Sequence, residues 1–365
     1  MWSQMINQLG QLFMTGISGY SLTPEESSFL EKENIGGVIL FTHNYESTAQ
    51  LAELVNQIQT LRDDYPLLVA VDHEGGRVIR FKHGFTQFPA MGDIASLESP
   101  KMVFRIHQIM AQELSACGVN LSFAPCCDIL TNPNNKVIGD RSFGSDGGMV
   151  SKFISSAIRG LQTSNVMACA KHFPGHGSTT KDSHFDLPVI KLSEEEILNQ
   201  ELVPFIKAVK SKVDFVMMGH LMVDAIDQKL PASLSPAAHE LLRSNLKFKK
   251  VIISDDLQMK AITDNYGQDE AASLALMAGT DILLYRDISE TQQAYEGVRR
   301  ALKTKKIKND LIQEKLKRIV SRKREYLSDF RPVYIPQISK LVNSKQTQIL
   351  LDEINKNIAD KKASI

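Results

Sequence analysis

The stretch KHFPGHGSTTKDSHFD, residues 171–186, is the most unusual in the chain and the one whose residue types most directly suggest chemistry. It leaves an apolar run, then passes glycines, a proline and three histidines with neither helical nor strand periodicity. Long ordered loops of this kind usually belong to a site. Lys171 and His172 stand at its start, and Asp182 and His184 lie two residues apart near its far end. If Asp182 accepts the proton of one imidazole nitrogen, it fixes the tautomer and raises the basicity of the other. His184 would then suit proton transfer near neutral pH.

A second group is VIISDD, where an apolar run ends in two carboxylates. Asp255, at the strand end, is the candidate nucleophile, and Asp256 the candidate cap for the helix beginning LQMKAI. AVDHEGGRVIRF (70–81) adds Asp72, a glycine turn, Arg77 and Arg80, and VIGDRSFG (137–144) adds Arg141. Carboxylates and guanidinium forks suit the fixed hydroxyl geometry of a sugar. Nothing matches a phosphate-cradling loop. Two other chemistries stay open on residue type alone. His172, His176 and His184 with Asp255 resemble a metal-ligand set, although the spacing fits no compact motif and Lys171 places a cation beside it. Lys171 could instead form a Schiff base, which leaves the Asp182–His184 pair unexplained.

These residues need a frame, and the apolar runs supply one. Strand-like segments recur at LGQLFMTG (9–16), GGVILF (36–41), LLVAVD (67–72), VNLSFAP (119–125), VMACAKH (166–172), DFVMMGH (214–220), KVIISD (250–255) and TDILLY (280–285). Several are continuously apolar, the pattern of parallel strands covered on both faces. Helical patterns lie between them, including STAQLAELVNQIQTLRDD with Ser47 as N-cap and LSEEEILNQELVPFIKAVKS with a Ser193/Glu196 capping box. Eight strand–helix units predict an α/β fold of the (β/α)8 barrel type. A doubly wound sheet is the rival, but no G-x-G-x-x-G follows the first strand. The runs end at Asn44, Asp72, Asp128, Lys171 with His172, His220, Asp255 and Arg286, which a barrel would gather at the face where barrel enzymes keep their sites.

Residues 1–329 are assigned to the barrel and 330–365 to a C-terminal helical extension. RRALKTKKIKNDLIQEKLKRIVSRKREY reads as one long basic closing helix, ended by Pro332 and Pro336. The apolar stripe of the extension, Ile338, Leu341, Val342, Ile349, Leu350 and Ile354, must cover either the barrel flank or a second subunit, so a homodimer through this tail is an expectation.

Across the 365 residues, 43% are hydrophobic and Lys+Arg and Asp+Glu both number 42. That composition excludes a mainly disordered chain, and zero net charge disfavours a dedicated nucleic-acid or membrane-surface binder. Cys117, Cys126, Cys127 and Cys169 form no C-x-x-C pair and no zinc spacing, so free buried thiols are expected. The N-terminus has no basic region followed by a continuous apolar one, and no stretch approaches the ~20 apolar residues of a membrane span. The expected location is the cytoplasm.

Taken together, VDHEGGRVIRF, VIGDRSFG, KHFPGHG-x4-DSH and VIISDDLQM resemble the family 3 glycoside hydrolases, in matching order over roughly residues 5–325. The likeness is nearest to the bacterial β-N-acetylglucosaminidase branch of peptidoglycan recycling. It implies a retaining hydrolase without metal or other cofactor that removes terminal β-linked N-acetylglucosamine (GlcNAc). Its natural substrate would be GlcNAc-1,6-anhydro-N-acetylmuramic acid, with or without peptide. By the same resemblance Asp255 is the nucleophile, and His184 the acid/base with Asp182 as its partner. Asp72, Arg80, Arg141, Lys171 and His172 then bind the sugar. A histidine acid/base is not anionic and would not repel phosphate, so a phosphorylase on the same site stays open. A metal-dependent hydrolase and a sugar-binding module without turnover are the rivals from other classes.

Overall fold

The computed structural model describes residues 8–62, 66–179 and 187–364. Its centre is a closed barrel of eight parallel strands. In chain order these are β1 (Phe13–Thr15), β2 (Gly37–Leu40), β3 (Leu68–Val71), β4 (Leu121–Ser122), β5 (Met167–Phe173), β6 (Phe215–Met218), β7 (Val251–Asp256) and β8 (Ile282–Tyr285). β1 closes the ring by pairing with both β2 and β8, Phe13 lying opposite Leu283 and Met14 opposite Gly37. Each strand is followed by at least one helix: α1 (Pro24–Lys32), α2 (Thr48–Gln59), α3 (Pro100–Ala116), α4 (Gly147–Thr163), α5 (Val203–Lys210), α6 (Pro236–Glu240), α7 (Gln268–Ala278) and α8 (Ile288–Lys303). The (β/α)8 expectation is met, and all eight apolar runs contribute a barrel strand.

Continuous apolar runs become barrel strands because both faces are covered. Val251, Ile252 and Ile253 are all buried, as are Leu68 through Val71. Capping follows the sequence: Ser47 accepts the Gln50 N–H, and Ser193 and Glu196 form the reciprocal capping box. Two runs are shortened. Residues 9–12 form a 3-10 turn, and β1 begins only at Phe13. β4 ends at Ser122, well before Pro125, whose ring nitrogen has no proton for a ladder; only a Cys126–Lys171 bridge follows.

The long basic helix is two helices. α8 stops at Lys303 and α9 (Asn309–Leu327) starts after a turn in which Lys305 has φ of 60° and Ile307 is buried. Burying Ile307 requires the break; a continuous helix would carry it onward with its lysine neighbours.

The tail beyond Pro332 lies on the barrel flank. Ile338, Val342, Ile354 and Ile358 join the same core cluster as the barrel helices, while Leu341 and Ile349 remain exposed. α10 (Lys345–Ala363) is capped by Ser344, and just before it the Asn343 N–H donates to the buried Glu113 carboxylate of α3 at 2.9 Å. The barrel itself thus buries three of the six stripe residues, Ile338, Val342 and Ile354, and partly covers Leu350. All four cysteines are free and buried, as expected. Among the described residues no helix is long and apolar enough to cross a membrane.

Candidate active site

A cavity of about 650 Å³ opens at the C-terminal ends of the barrel strands, a volume typical of small-ligand sites. Its lining includes Asp72, Arg80, Arg141, Lys171, His172 and Asp255, so every described residue assigned to the site faces one space. Asp182 and His184 lie outside the described residues.

The cavity wall is a chain of buried ion pairs. Asp72, one residue beyond β3, accepts from Arg80 at 2.9 Å and from Lys171 at 2.7 Å. Lys171 also reaches Glu74 at 2.6 Å, and Glu74 takes a two-bond fork from Arg141, each bond 2.8 Å. Arg141 Nη2 lies 3.4 Å from His172 Nε2, and His172 Nδ1 lies 2.8 Å from Asp128. The Asp128 carboxylate makes Nδ1 a donor and turns Nε2 toward the Arg141 guanidinium. Asp128 further accepts the backbone N–H groups of His172 and His176.

Protonation follows from this wiring. Burial alone would raise Asp72 and Glu74, but Lys171 with Arg80, and Arg141 with Lys171, overcome it. Asp72 falls well below the usual carboxylate range and Glu74 falls to about 2. Burial works to deprotonate Lys171, yet its two carboxylates hold its pKa above the ordinary lysine value. A Schiff-base lysine needs a free amine, so this ammonium does not suit that role.

Asp255 closes β7. Burial pushes its carboxyl up, but the nearby His220 and His172 bring it below its usual value, so it is anionic. One oxygen accepts the Asp256 N–H at 2.8 Å. Among the described residues no cation lies within ion-pair distance of it. Asp256 differs: burial raises it to about 6 against Arg286, which pairs with it at 2.9 Å. It accepts the Gln258 N–H inside the turn, and Met259 occupies the N-cap position of the next helix, so the expectation that Asp256 caps that helix is corrected.

Other strand-end residues serve the scaffold. Asn44 is buried and holds the Ile17 and Gly19 carbonyls, while His220 bridges Ser233 and the Asp256 carbonyl. His172, His176 and Asp255 do not form a ligand cluster among the described residues, outside which His184 lies; the compact group there is Cys126, Asp128 and His172. Burial raises the Cys126 thiol well above its usual pKa, so Sγ keeps its proton, and it donates to Asp128. That donor set is already satisfied and suits a cation poorly.

Glu74 is the residue that the motif reading passed over, and Glu201 is another. The buried Glu201 carboxyl sits against the site loop: a Cβ at Gly175, where φ is +132°, would collide with it. Burial and then Asp128 push its pKa up to about 7 from 4.5. Between those values the folded chain holds a proton that the unfolded chain has lost, so stability declines as pH rises from 4.5 through 7. The full penalty, on the order of 3 kcal/mol, persists at higher pH. Glu201→Gln should therefore melt above the native protein at pH 8 and close to it at pH 4. Thermal melts across that range check it, and parallel pH curves for the two proteins would contradict the assignment.

The family model for the glycosyl hydrolase family 3 N-terminal domain matches residues 4–322. The chain belongs to glycosyl hydrolase family 3. It is a glycoside hydrolase, and curated relatives of this family 3 enzyme carry the name beta-hexosaminidase. One from Hydrogenovibrio crunogenus is 39% identical over 278 residues, covering 74% of this chain and 77% of its own. Another, from Tolumonas auensis, is 41% identical over 275 residues, covering 74% and 81%. A family 3 beta-N-acetylglucosaminidase from Paenibacillus sp. str. FPU-7 has a similar structure, with TM-score 0.93 at 33% identity over 96% of this chain and 68% of that one.

Proposed function

We propose that this family 3 enzyme is a retaining, exo-acting β-N-acetylglucosaminidase that removes terminal GlcNAc from peptidoglycan fragments in the cytoplasm. Its substrate is GlcNAc-1,6-anhydro-N-acetylmuramic acid, with or without peptide. The observation that carries the reading is Asp255, an anionic carboxylate in a cavity walled by fixed donors and acceptors for sugar hydroxyls. The names of the relatives support the sugar, and four free buried thiols fit a reducing compartment.

The reaction is a double displacement. The Asp255 carboxylate attacks the anomeric carbon as its bond to the glycosidic oxygen breaks, and protonated His184 gives its proton to that oxygen. His184, held by Asp182, then takes a proton from water, whose oxygen attacks the anomeric carbon and frees Asp255. Asp72, Arg80, Arg141, Lys171 and His172 hold the sugar. The buried ion pairs fix these groups before substrate arrives, so little reorganisation is needed at reaction.

An activated fluoro-sugar analogue, which slows release of the intermediate, should leave a sugar mass on the peptide containing Asp255. An enzyme that turns over normally but carries the label on another carboxylate, or none, would overturn the assignment.

A further inference from the structure

Charge in the cavity is graded by depth. Glu74 is 3% exposed at its side chain, and Asp72 and Asp256 are 17% and 18% exposed. Arg286 and Arg77 are 44% and 47% exposed, and Lys136 is also exposed. The described lining holds six Lys and Arg side chains against four carboxylates, with the carboxylates deep and the excess cations at the mouth. Asp140, outside the lining, pairs with Arg77, and Asp256 pairs with Arg286. Among the described residues Lys136 has no carboxylate partner.

The turn that presents Lys136 is built rather than loose. The buried Asn135 side chain accepts the Val137 and Ile138 N–H groups and donates to the His176 carbonyl of the site loop. Arg77 Nη2 donates to the carbonyls of Lys136 at 3.0 Å and Val137 at 2.5 Å. Across the mouth-lining set, Arg286 is held by Asp256 and by the Gln258 carbonyl. An ammonium on a braced turn loses less freedom on pairing than one on a mobile loop.

An exo-acting enzyme places the released sugar deep and the rest of its substrate toward the opening. The deep wall already contains the groups that suit neutral hydroxyls. We infer that the mouth of the cavity is an aglycone subsite for a carboxylate-bearing sugar, with Lys136 its recognising cation. The inference rests on the glycosidase reading above and adds which feature of the substrate is selected. Two sources offer the same chemistry: a lactyl ether carboxylate on the aglycone sugar itself, or the carboxylates of a peptide attached there.

The experiment compares kcat/KM of the full chain on GlcNAc-anhydro-N-acetylmuramic acid, on its lactyl methylamide, and on the peptide-bearing form. The free acid should exceed the neutral amide by about fivefold, the size expected of partly exposed ion pairs, and the preference should shrink as salt is added. In Lys136→Gln the acid-to-amide ratio should fall to near one. A peptide-bearing substrate that is favoured over the amide and loses that advantage in Lys136→Gln supports the subsite with the peptide as its anion. Equal rates on all three by the native enzyme, or a preference unchanged in Lys136→Gln, overturns the subsite while leaving the glycosidase intact. Failure to cleave any of them, or a simple aryl β-N-acetylglucosaminide, overturns both.

Discussion

Asp255→Asn is expected to lower kcat on an aryl β-N-acetylglucosaminide by about 10⁴-fold or more, with little change in melting temperature. The amide keeps the shape of the carboxylate, and its oxygen can still accept the Asp256 N–H that Asp255 holds at 2.8 Å. It loses the charge that His220 and His172 sustain against burial, and with it the nucleophile. Because among the described residues no cation pairs with Asp255, the substitution strands no positive charge and the fold has no reason to weaken. Azide should restore turnover as an external nucleophile, giving a glycosyl azide of inverted configuration. Asp256→Asn provides the contrast: it removes the charge that pairs with Arg286, while its amide oxygen can still accept the Gln258 N–H and the attacking atom is untouched. A loss under about tenfold in Asp255→Asn would remove Asp255 from the nucleophile's place.

What could be read from the chain, and what could not, divides by the range of the interaction. The barrel strands were legible because burial on two faces writes itself locally, as in Val251–Ile253 and Leu68–Val71. Caps were legible for the same reason: Ser193 and Glu196 are three residues apart and bond each other's backbone. The break between α8 and α9 was not, since Lys305 takes its positive φ without a glycine or proline to signal it. Nor did the stripe on the tail say which surface it covers; Ile354 and Ile358 could equally have been buried by a partner, and here the barrel buries them.

The site shows the same division. Asp72 and Arg80 share a short segment, so their pairing could be expected, and Asp255 is marked by the abrupt end of an apolar run. Glu74 has no such signal. Its partner Arg141 follows 67 residues later, and only the closed ring brings the two together. Asp128 was visible as a strand end, but its hold on the His172 and His176 backbone depends on how β4 and β5 pass one another. Glu201 lies in a π-turn within an otherwise ordinary amphipathic helix, with nothing in its neighbours to show that its carboxyl is buried against the site loop.

Glu74→Ala is expected to cost about 3–5 kcal/mol of stability, because it leaves buried cations without their counter-charge. In the native protein Glu74 answers Arg141 through two bonds and Lys171 through a third. Without it Lys171 retains only Asp72, which it shares with Arg80, and Arg141 retains the Val137 carbonyl and the His172 ring. Two partly stranded cations then repel across the wall of the cavity. A loss of this size is a large share of the ~5–15 kcal/mol that holds an ordinary domain together. The melting temperature should fall on the order of 5–10 °C. Activity should fall as well, since the orientation of Arg141 and His172 passes through Glu74. The double substitution with Lys171→Met separates a network from a sum of contacts. Removing one of the stranded cations should return part of the loss, so the double variant should be less destabilised than the two single effects added together. Strict additivity, or a Glu74→Ala protein that melts like the native one, would mean that the buried pairs are not coupled and that water reaches Lys171 once its partner is gone.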